Sequence, residues 1–277
     1  MLLLILKTSI TILILAIGMI ATKNEIIYLW RRPVLLLKSI IAMYVVMPAV
    51  TVLMVRILDL PPRTEVALIV LAICAGTPLL PKKLIKLGGD PDYIFSLIVI
   101  TSLLAIITVP ASLHLLAEII HFDTTKITPS QVARALLKPF LLPLGLGMLF
   151  RLASPALAER VGNPLLKIGS AAMVLTALTA MVTRFRLIFE VDLLSLLAFA
   201  AFTLIGIVAG HLLGGPDPAN RSSLAVSCAS RHIGLALLIA AHARGPHTLP
   251  LVIAYLLAST VVSILYIRWI KKHRDQA

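Results

Sequence analysis

Two ionisable residues, Arg231 and His232, stand side by side in an otherwise apolar or small-residue segment, Ser227-Cys228-Ala229-Ser230-Arg231-His232-Ile233-Gly234. A charge at the centre of a membrane-spanning segment costs roughly 2.5–3.5 kcal/mol on insertion scales, so such a residue usually faces a cavity or a partner. A guanidinium offers five N–H donors in a planar fork that fits a carboxylate or a sulfonate. The segment therefore predicts a binding site for an organic anion, with Arg231 as its fixed cation.

Each polar residue of this segment also has a structural interpretation, and the sequence leaves both open. Arg231 could cap backbone carbonyls that a break in the helix sets free. His232 could carry a coupled proton, since imidazole has an unperturbed pKa of about 6.5, or it could only hydrogen-bond the backbone. Ser227 and Ser230 could line the site, although hydroxyl groups in helices often bond only to a carbonyl of the preceding turn.

A second segment, Ile73-Cys74-Ala75-Gly76-Thr77-Pro78-Leu79-Leu80-Pro81-Lys82-Lys83, holds two more candidates. Its glycine and its two prolines cannot all lie in an unbroken helix, because each proline removes a backbone donor and clashes with the preceding turn. Thr77 is a candidate for lining the anion site. Lys82 could reach back into the site or belong to a cytoplasmic loop. Both segments contain the dipeptide Cys-Ala at the start of the irregular stretch.

The elements that carry these residues are long and apolar. The chain of 277 residues is 60% hydrophobic and 13% charged, whereas a soluble domain is roughly half apolar and about a quarter charged. Crossing the hydrocarbon core takes about 20 apolar residues. Nine segments qualify, at roughly 2–20, 33–57, 63–87, 92–117, 138–154, 166–185, 191–213, 221–243 and 248–270. The predicted fold class is an all-α integral membrane protein of about nine transmembrane helices.

Two of the nine segments, 63–87 and 221–243, are the interrupted ones described above. Irregular backbone at membrane depth survives only where it is buried in protein or lines a cavity. A pair of interrupted segments at matching places in two halves points to a transporter site built from inverted repeats. We therefore predict one polytopic transporter domain over residues 1–277, with repeat halves at roughly 1–117 and 138–270.

The basic residues are better explained by membrane orientation than by nucleic-acid binding. The net charge is +13, but the cations are scattered between apolar runs and form no basic stripe, so we expect no nucleic-acid partner. Lys and Arg collect in cytoplasmic loops, and the loops on the side of the C-terminus hold the larger share. The prediction is a multi-pass protein of the cell (plasma or cytoplasmic) membrane with its N-terminus outside and its C-terminus in the cytoplasm.

The sequence gives little support for an enzyme. It shows no paired carboxylates within the apolar segments, no spacing typical of metal ligands and no nucleotide-binding loop. The Ser and His of the segment around Arg231 lack a third group that would orient the base. We therefore expect no cofactor and no metal site.

Several motifs, taken in order and with their spacing, resemble the bile acid:sodium symporter family, which includes many prokaryotic organic-anion transporters. The resemblance runs along nearly the whole chain. It rests on Leu29-Trp30-Arg31-Arg32-Pro33, Met47-Pro48, Cys74-Ala75-Gly76 with Gly88-Gly89-Asp90, Thr101-Ser102 with Pro110, and Gly234-Leu235-Ala236. It implies a panel domain and a core domain with two broken helices that cross near the membrane centre. It also implies nine helices, without the first helix of longer members.

This chain departs from the family at the positions that bind sodium in its relatives. Counted from the motifs, these positions fall on Met43, Leu80, Pro81, Ile94, Ile98, Ser227, Arg231 and His232. Sodium is a hard cation that needs several oxygen ligands, and leucine, proline and isoleucine side chains supply none. One interpretation is that the guanidinium of Arg231 takes the place of a bound sodium ion, and the other is that it only caps backbone carbonyls.

These observations lead to three hypotheses about function. The first is a secondary transporter of a small or amphipathic organic anion that works by alternating access and is not coupled to sodium. Its partners would be the anion, the lipid bilayer and, if His232 titrates during transport, protons. The second is a sodium-dependent symporter of the same family that uses other ligands, and the third is a non-transporting membrane sensor or subunit.

The predicted topology is open to a direct test. Single cysteines placed at the two ends of the chain should react with a membrane-impermeant reagent from opposite sides of the membrane, because nine spans put the termini on opposite faces. Labelling of both ends from the same side would contradict the count of spans.

Overall fold

The computed structural model describes residues 2–75, 89–120, 142–183, 191–231, 236 and 249–274, and the regular structure in these ranges is helical. Within them there is no strand, in agreement with the predicted all-α class. The helices are α1 Leu2–Ile20, α2 Lys23–Ile27, α3 Pro33–Ile57, α4 Pro62–Ile73, α5 Pro91–Ile120, α6 Leu142–Ala153, α7 Pro155–Thr183, α8 Leu193–Leu213, α9 Pro218–Ala229 and α10 Leu249–Arg274.

Three helical segments of the described residues are long and apolar enough to cross a bilayer, namely α3, α8 and the stretch Pro250–Lys272 of α10. Shorter apolar stretches occur in α1, α5 and α6. The bounds of α1, α3, α8 and α10 lie close to those predicted from the sequence. The total of nine spans stays a prediction, because parts of the predicted segments lie outside the described residues.

Helix α7 extends furthest beyond its predicted membrane span, which was expected to begin near residue 166. It begins at Pro155, with the Ala158 amide donating to the Ser154 carbonyl at 2.9 Å. The apolar window marks only the part of a helix that suits hydrocarbon, whereas the backbone hydrogen bonds continue through the polar turns before it. Proline at the first position favours such a start, since its missing N–H would have no partner there.

Helices α1, α6 and α7 pack closely against one another and form a first group. Glycines make this possible where α1 crosses α6. A Cβ added at Gly18 would overlap the Leu144 carbonyl oxygen, and one added at Gly147 would overlap the Leu15 carbonyl oxygen. Small residues at such crossings let helix backbones approach closely in a membrane, where packing rather than the hydrophobic effect holds helices together.

Helix α8 lies at the centre of a second group, which also contains α3, α4, α5, α9 and α10. One face of α8 carries Gly206 and Gly210, and Gly214 caps the end of the helix, so the three glycines are spaced four residues apart. A Cβ at Gly210 or Gly214 would overlap the backbone of Ala225 or Arg221 in α9, and one at Gly206 would lie 3.0 Å from the Cys228 carbonyl oxygen. Helix α9 therefore rests directly on the backbone of α8 along its length.

The chain passes from the first group to the second between α1 and α2. The segment after α2 is fixed to the start of α5, where the Tyr28 hydroxyl donates to the Asp90 carboxylate at 2.5 Å and the Leu29 amide donates to the Ser96 hydroxyl at 3.1 Å. Arg32 lies over the Tyr28 ring, with Cζ 4.0 Å from the centroid. The Arg-Arg-Pro motif thus belongs to a polar junction at one end of the second group.

Two glycines of α6 provide a matched test of this packing. Gly147→Ala should lower the free energy of unfolding by about 1–3 kcal/mol, as over-packing does elsewhere, because its methyl group meets the backbone of α1. Gly145→Ala meets nothing within 4 Å and should leave stability unchanged or raise it by up to about 1 kcal/mol through helix propensity. Thermal unfolding in detergent measures both, and equal effects would contradict the close crossing.

Candidate functional site

Helices α4 and α9 both end inside the protein after 12 residues. At 1.5 Å per residue such a helix is about 18 Å long, which is short of a hydrocarbon core of about 30 Å. Helix α4 ends at Ile73, before the non-helical Cys74 and Ala75, and α9 ends at Ala229, before Ser230 and Arg231. Both ends fall where the sequence predicted breaks. Most of the chain after each break, 76–88 and 232–248 apart from residue 236, lies outside the described residues.

The Cys-Ala dipeptides of the two breaks are not equivalent in the structure. The first comes after the end of α4, whereas the second forms the end of α9. Both helices carry a proline at their first position, and alignment on these prolines pairs Cys74 with Ser230 and Ala75 with Arg231. Helix length and the initial proline therefore relate the two segments better than the dipeptide does, which is two residues out of register.

The structure brings the ends of α4 and α9 together. Ala75 and Cys228 belong to one buried cluster with Met43 of α3 and with Tyr93 of α5. The Arg231 guanidinium is within electrostatic range of the Cys74 and Cys228 thiols. The positive charge that the sequence singled out thus lies where the two interrupted helices meet.

Arg231 is completely buried, with 0% of its surface exposed. Its Nη1 donates to the Met43 carbonyl oxygen at 3.5 Å, which is long for a hydrogen bond. Its Cζ lies 5.6 Å from the centre of the Phe202 ring of α8, within the range of a cation–π contact. Its Nε and Nη2 have no hydrogen-bond partner among the described residues. Two of the three guanidinium nitrogens are therefore buried without a hydrogen-bond partner among the described residues.

The Met43 carbonyl is available to Arg231 for a local reason. Met43 lies in a π-helical stretch of α3, Ile41–Val46. In a π-helix the partner of a carbonyl is the N–H five residues later, and at residue 48 this is a proline, which has none. The Met-Pro motif thus leaves a carbonyl oxygen that faces the end of α9.

The remaining predicted site residues are placed only in part. Ser227 is buried one turn before Arg231 on α9, and Ser230 is half-buried with its amide donating to the Val226 carbonyl at 2.9 Å. Thr77, Lys82 and His232 lie outside the described residues, so their membership of the site stays a prediction. His211 of α8, which is not among the predicted site residues, places Nδ1 2.7 Å from the Tyr266 hydroxyl of α10.

Five of the positions that the family resemblance matches to sodium ligands are described; three carry apolar side chains, and the other two are Ser227 and Arg231. Met43, Ile94 and Ile98 are buried with exposures of 0%, 1% and 7%, and Leu80 and Pro81 lie outside the described residues. The Met43 carbonyl oxygen is within reach of the Arg231 guanidinium rather than free for an ion. Among the described residues no group of three or more His, Cys, Asp or Glu is arranged to hold a metal ion.

Sequence inspection missed three features that hold this site. The glycines of α8 could have been found, since their spacing of four in an apolar helix is a known signal for close helix packing. Phe202 and Tyr255 give no such signal. Tyr255 donates from its hydroxyl to the Ala229 carbonyl at 2.5 Å, and a bond to a backbone atom of another helix leaves no mark on residue type.

A comparison with models of protein families identifies one match, described as the Sodium Bile acid symporter family, over residues 8–190. The match covers 183 of the 277 residues and includes α2 to α7, most of α1 and the first break. It ends before α8, so the correspondence of Ser227, Arg231 and His232 with family positions stays a prediction. No curated protein sequence matches the chain significantly.

The composition of the site predicts that sodium has no specific effect on stability. A ligand that binds the native state raises its melting temperature by mass action, and the side chains at the family's sodium positions offer too few oxygens for such binding. Replacing sodium with potassium at equal ionic strength should leave the melting temperature of the purified protein unchanged. A rise that occurs with sodium and not with potassium would show that an ion is bound.

Proposed function

We propose, from the premise that this chain belongs to the sodium bile acid symporter family, that it transports an organic anion and carries its own fixed cation in place of sodium. Members of this family are membrane transporters rather than enzymes, and together with the apolar helices this makes the chain a multi-pass membrane protein of the transport class. The proposal adds the coupling chemistry, the site and the class of substrate, a small or amphipathic carboxylate or sulfonate.

One observation carries the proposal, the completely buried Arg231 at the meeting point of α4 and α9. Its contacts in the described structure are one long hydrogen bond to Met43 and the face of Phe202. A buried charge with open donors is costly unless it is paired. A carboxylate or sulfonate would supply both the opposite charge and acceptors for Nε and Nη2. The anion would therefore form an ion pair and hydrogen bonds that the empty protein lacks.

A cation that is part of the chain changes how transport can be driven. Bound sodium can be released on the far side of the membrane, whereas a guanidinium stays with the protein. An anion could then move by facilitated diffusion, by exchange for another anion, or with a proton carried by a group such as His232. The fixed cation supplies affinity for the anion but no coupling to a sodium gradient.

The two groups of helices support alternating access as the way in which the site opens. The first group, α1, α6 and α7, is held together by its own close crossings, and the second surrounds Arg231. The chain crosses from the first group to the second between α1 and α2, and the residues just after α2, Tyr28 and Leu29, are hydrogen-bonded to the start of α5. A rocking motion of one group against the other would leave the contacts of Arg231 within the second group intact.

The alternative that Arg231 only caps backbone carbonyls explains less of the structure. The carbonyl at the end of α9 is already bonded to Tyr255, and the carbonyl that Arg231 does contact uses one donor at a long distance. The alternative of a sensor or subunit without transport gives no reason to bury a cation with open donors. A sodium-dependent symporter would need oxygen ligands at positions other than those that bind sodium in the family.

Uptake into proteoliposomes tests the proposal with four anions that differ in size and in headgroup. Cholate and taurocholate represent amphipathic carboxylates and sulfonates, and benzoate and benzenesulfonate represent small ones. At least one should enter at the same rate with an inward sodium gradient and with a matched potassium gradient, because no sodium ion takes part. Uptake that requires the sodium gradient, or no uptake of any of the four, would contradict the proposal.

Two variants of Arg231 should bind the anion more weakly, and therefore take it up more slowly in this assay, while still inserting into the membrane. Arg231→Gln removes the charge-assisted hydrogen bonds and should weaken binding by about tenfold to a hundredfold. Arg231→Lys keeps the charge without the planar fork and should lose less. Arg268→Gln, an exposed cation on α10, is the matched control and should bind normally. A fully active Arg231→Gln protein would leave the guanidinium with a structural role alone.

A further inference from the structure

Tyr255 of α10 contacts the end of α9 next to Arg231. It is completely buried, and its hydroxyl donates to the carbonyl of Ala229, the last residue of α9, at 2.5 Å. This bond satisfies the carbonyl at the point where α9 stops, two residues before Arg231.

The ring of Tyr255 supports Arg231 from a second direction. It packs edge-on against Phe202, with the ring centres 6.2 Å apart, and against Phe199, with the centres 6.0 Å apart. Phe202 is the residue whose ring faces the Arg231 guanidinium. The hydroxyl of Tyr255 therefore holds the backbone just before Arg231, and its ring supports the Phe202 ring against which the guanidinium lies.

The end of a helix at membrane depth explains why this support is needed. The last carbonyls of any helix lack partners within it, and no water replaces them inside a bilayer. Without the Tyr255 hydroxyl, the Ala229 carbonyl would be an unpaired acceptor two residues before Arg231 and would compete with the anion for the donors of the guanidinium. The guanidinium would then turn toward its own helix and away from a ligand.

We propose that Tyr255 is a positioning residue for Arg231, one that satisfies the end of α9 so that the guanidinium keeps Nε and Nη2 for the anion. This rests on the proposed function in one respect, that Arg231 binds the anion. Tyr255 itself need not touch the substrate, because its polar atom is engaged with the backbone of α9.

A double-mutant cycle tests whether Tyr255 acts through Arg231. The probe is the member of the four-anion panel that the wild-type protein takes up fastest, and its dissociation constant is measured for each variant. Tyr255→Phe keeps the ring and removes the hydroxyl, and it should weaken binding about fivefold, the effect of losing one hydrogen bond. In the Arg231→Gln background the same change should have no further effect, because a residue that works through another adds nothing once that residue is gone.

Tyr266→Phe is the matched control for this substitution. Tyr266 lies on the same helix and packs against the cluster of Ile207, Ala225 and Ala229, but its hydroxyl pairs with His211 rather than with the Ala229 carbonyl, and its ring stacks on Trp269. The control removes the same atom from the same helix and should leave the affinity for the anion unchanged. A loss equal to that of Tyr255→Phe would show a general effect on α10 and overturn the positioning role.

A second measurement needs no substrate. The chain has two cysteines, so Cys74→Ala leaves Cys228 as the one thiol, buried one residue before Ala229. In this background Tyr255→Phe should speed the reaction of Cys228 with a membrane-permeant maleimide about fivefold, because the end of α9 opens more often without its hydrogen bond. Tyr266→Phe should react at the parent rate. Phe202→Leu should weaken anion binding without this increase, since it removes the ring and keeps the hydroxyl bond.

The outcomes separate this inference from the function on which it rests. If Arg231→Gln binds the anion normally, the proposed function fails, and the labelling of Cys228 then decides whether Tyr255 fixes the end of α9. If Arg231→Gln loses binding but Tyr255→Phe weakens it equally in both backgrounds, the function stands and the positioning role is overturned. Unchanged labelling of Cys228 in Tyr255→Phe overturns the inference in either case.

Discussion

Inside a bilayer no water is available to satisfy a charge or the end of a helix, and this constraint organises the structure around Arg231. Helices α4 and α9 stop partway, so their terminal carbonyls and the guanidinium must find partners in the protein. The Tyr255 hydroxyl takes the Ala229 carbonyl, and the guanidinium contacts the Met43 carbonyl that a following proline leaves without its π-helical donor. The donors that remain are the ones a negatively charged ligand would use.

The same constraint explains why α9 is seated so closely on α8. A broken helix has fewer backbone hydrogen bonds to hold it than a continuous one, so its position depends on its neighbours. The glycines of α8 let the two backbones meet from Arg221 to Cys228, and the Phe202 ring lies on the same helix as those glycines. Helix α8 thus supports the backbone of α9 and also supplies the Phe202 ring that contacts the Arg231 guanidinium.

A fixed cation and a bound sodium ion satisfy similar electrostatic needs but differ in what they allow. Either one counters the negative ends of backbone dipoles and attracts an anion. The ion can be exchanged with the solution, which links transport to its gradient, whereas a guanidinium contributes the same affinity on both sides of the membrane. The apolar Met43, Ile94 and Ile98 side chains fit the second arrangement, because an ion there would lack oxygen ligands.

The sequence by itself determined the helical fold class, the membrane environment and the places where α4 and α9 end, because hydropathy and helix-breaking residues are local properties of the chain. It also singled out Arg231 as a candidate, because a charge stands out in an apolar run. It also indicated the family, which the match over residues 8–190 confirms. It did not show that α7 begins at Pro155, before the apolar span, since hydropathy does not report where backbone hydrogen bonds begin. Only the tertiary structure decided that Phe202, Tyr255 and the Met43 carbonyl surround Arg231. Those contacts join helices distant in sequence and involve backbone atoms, which residue types do not reveal.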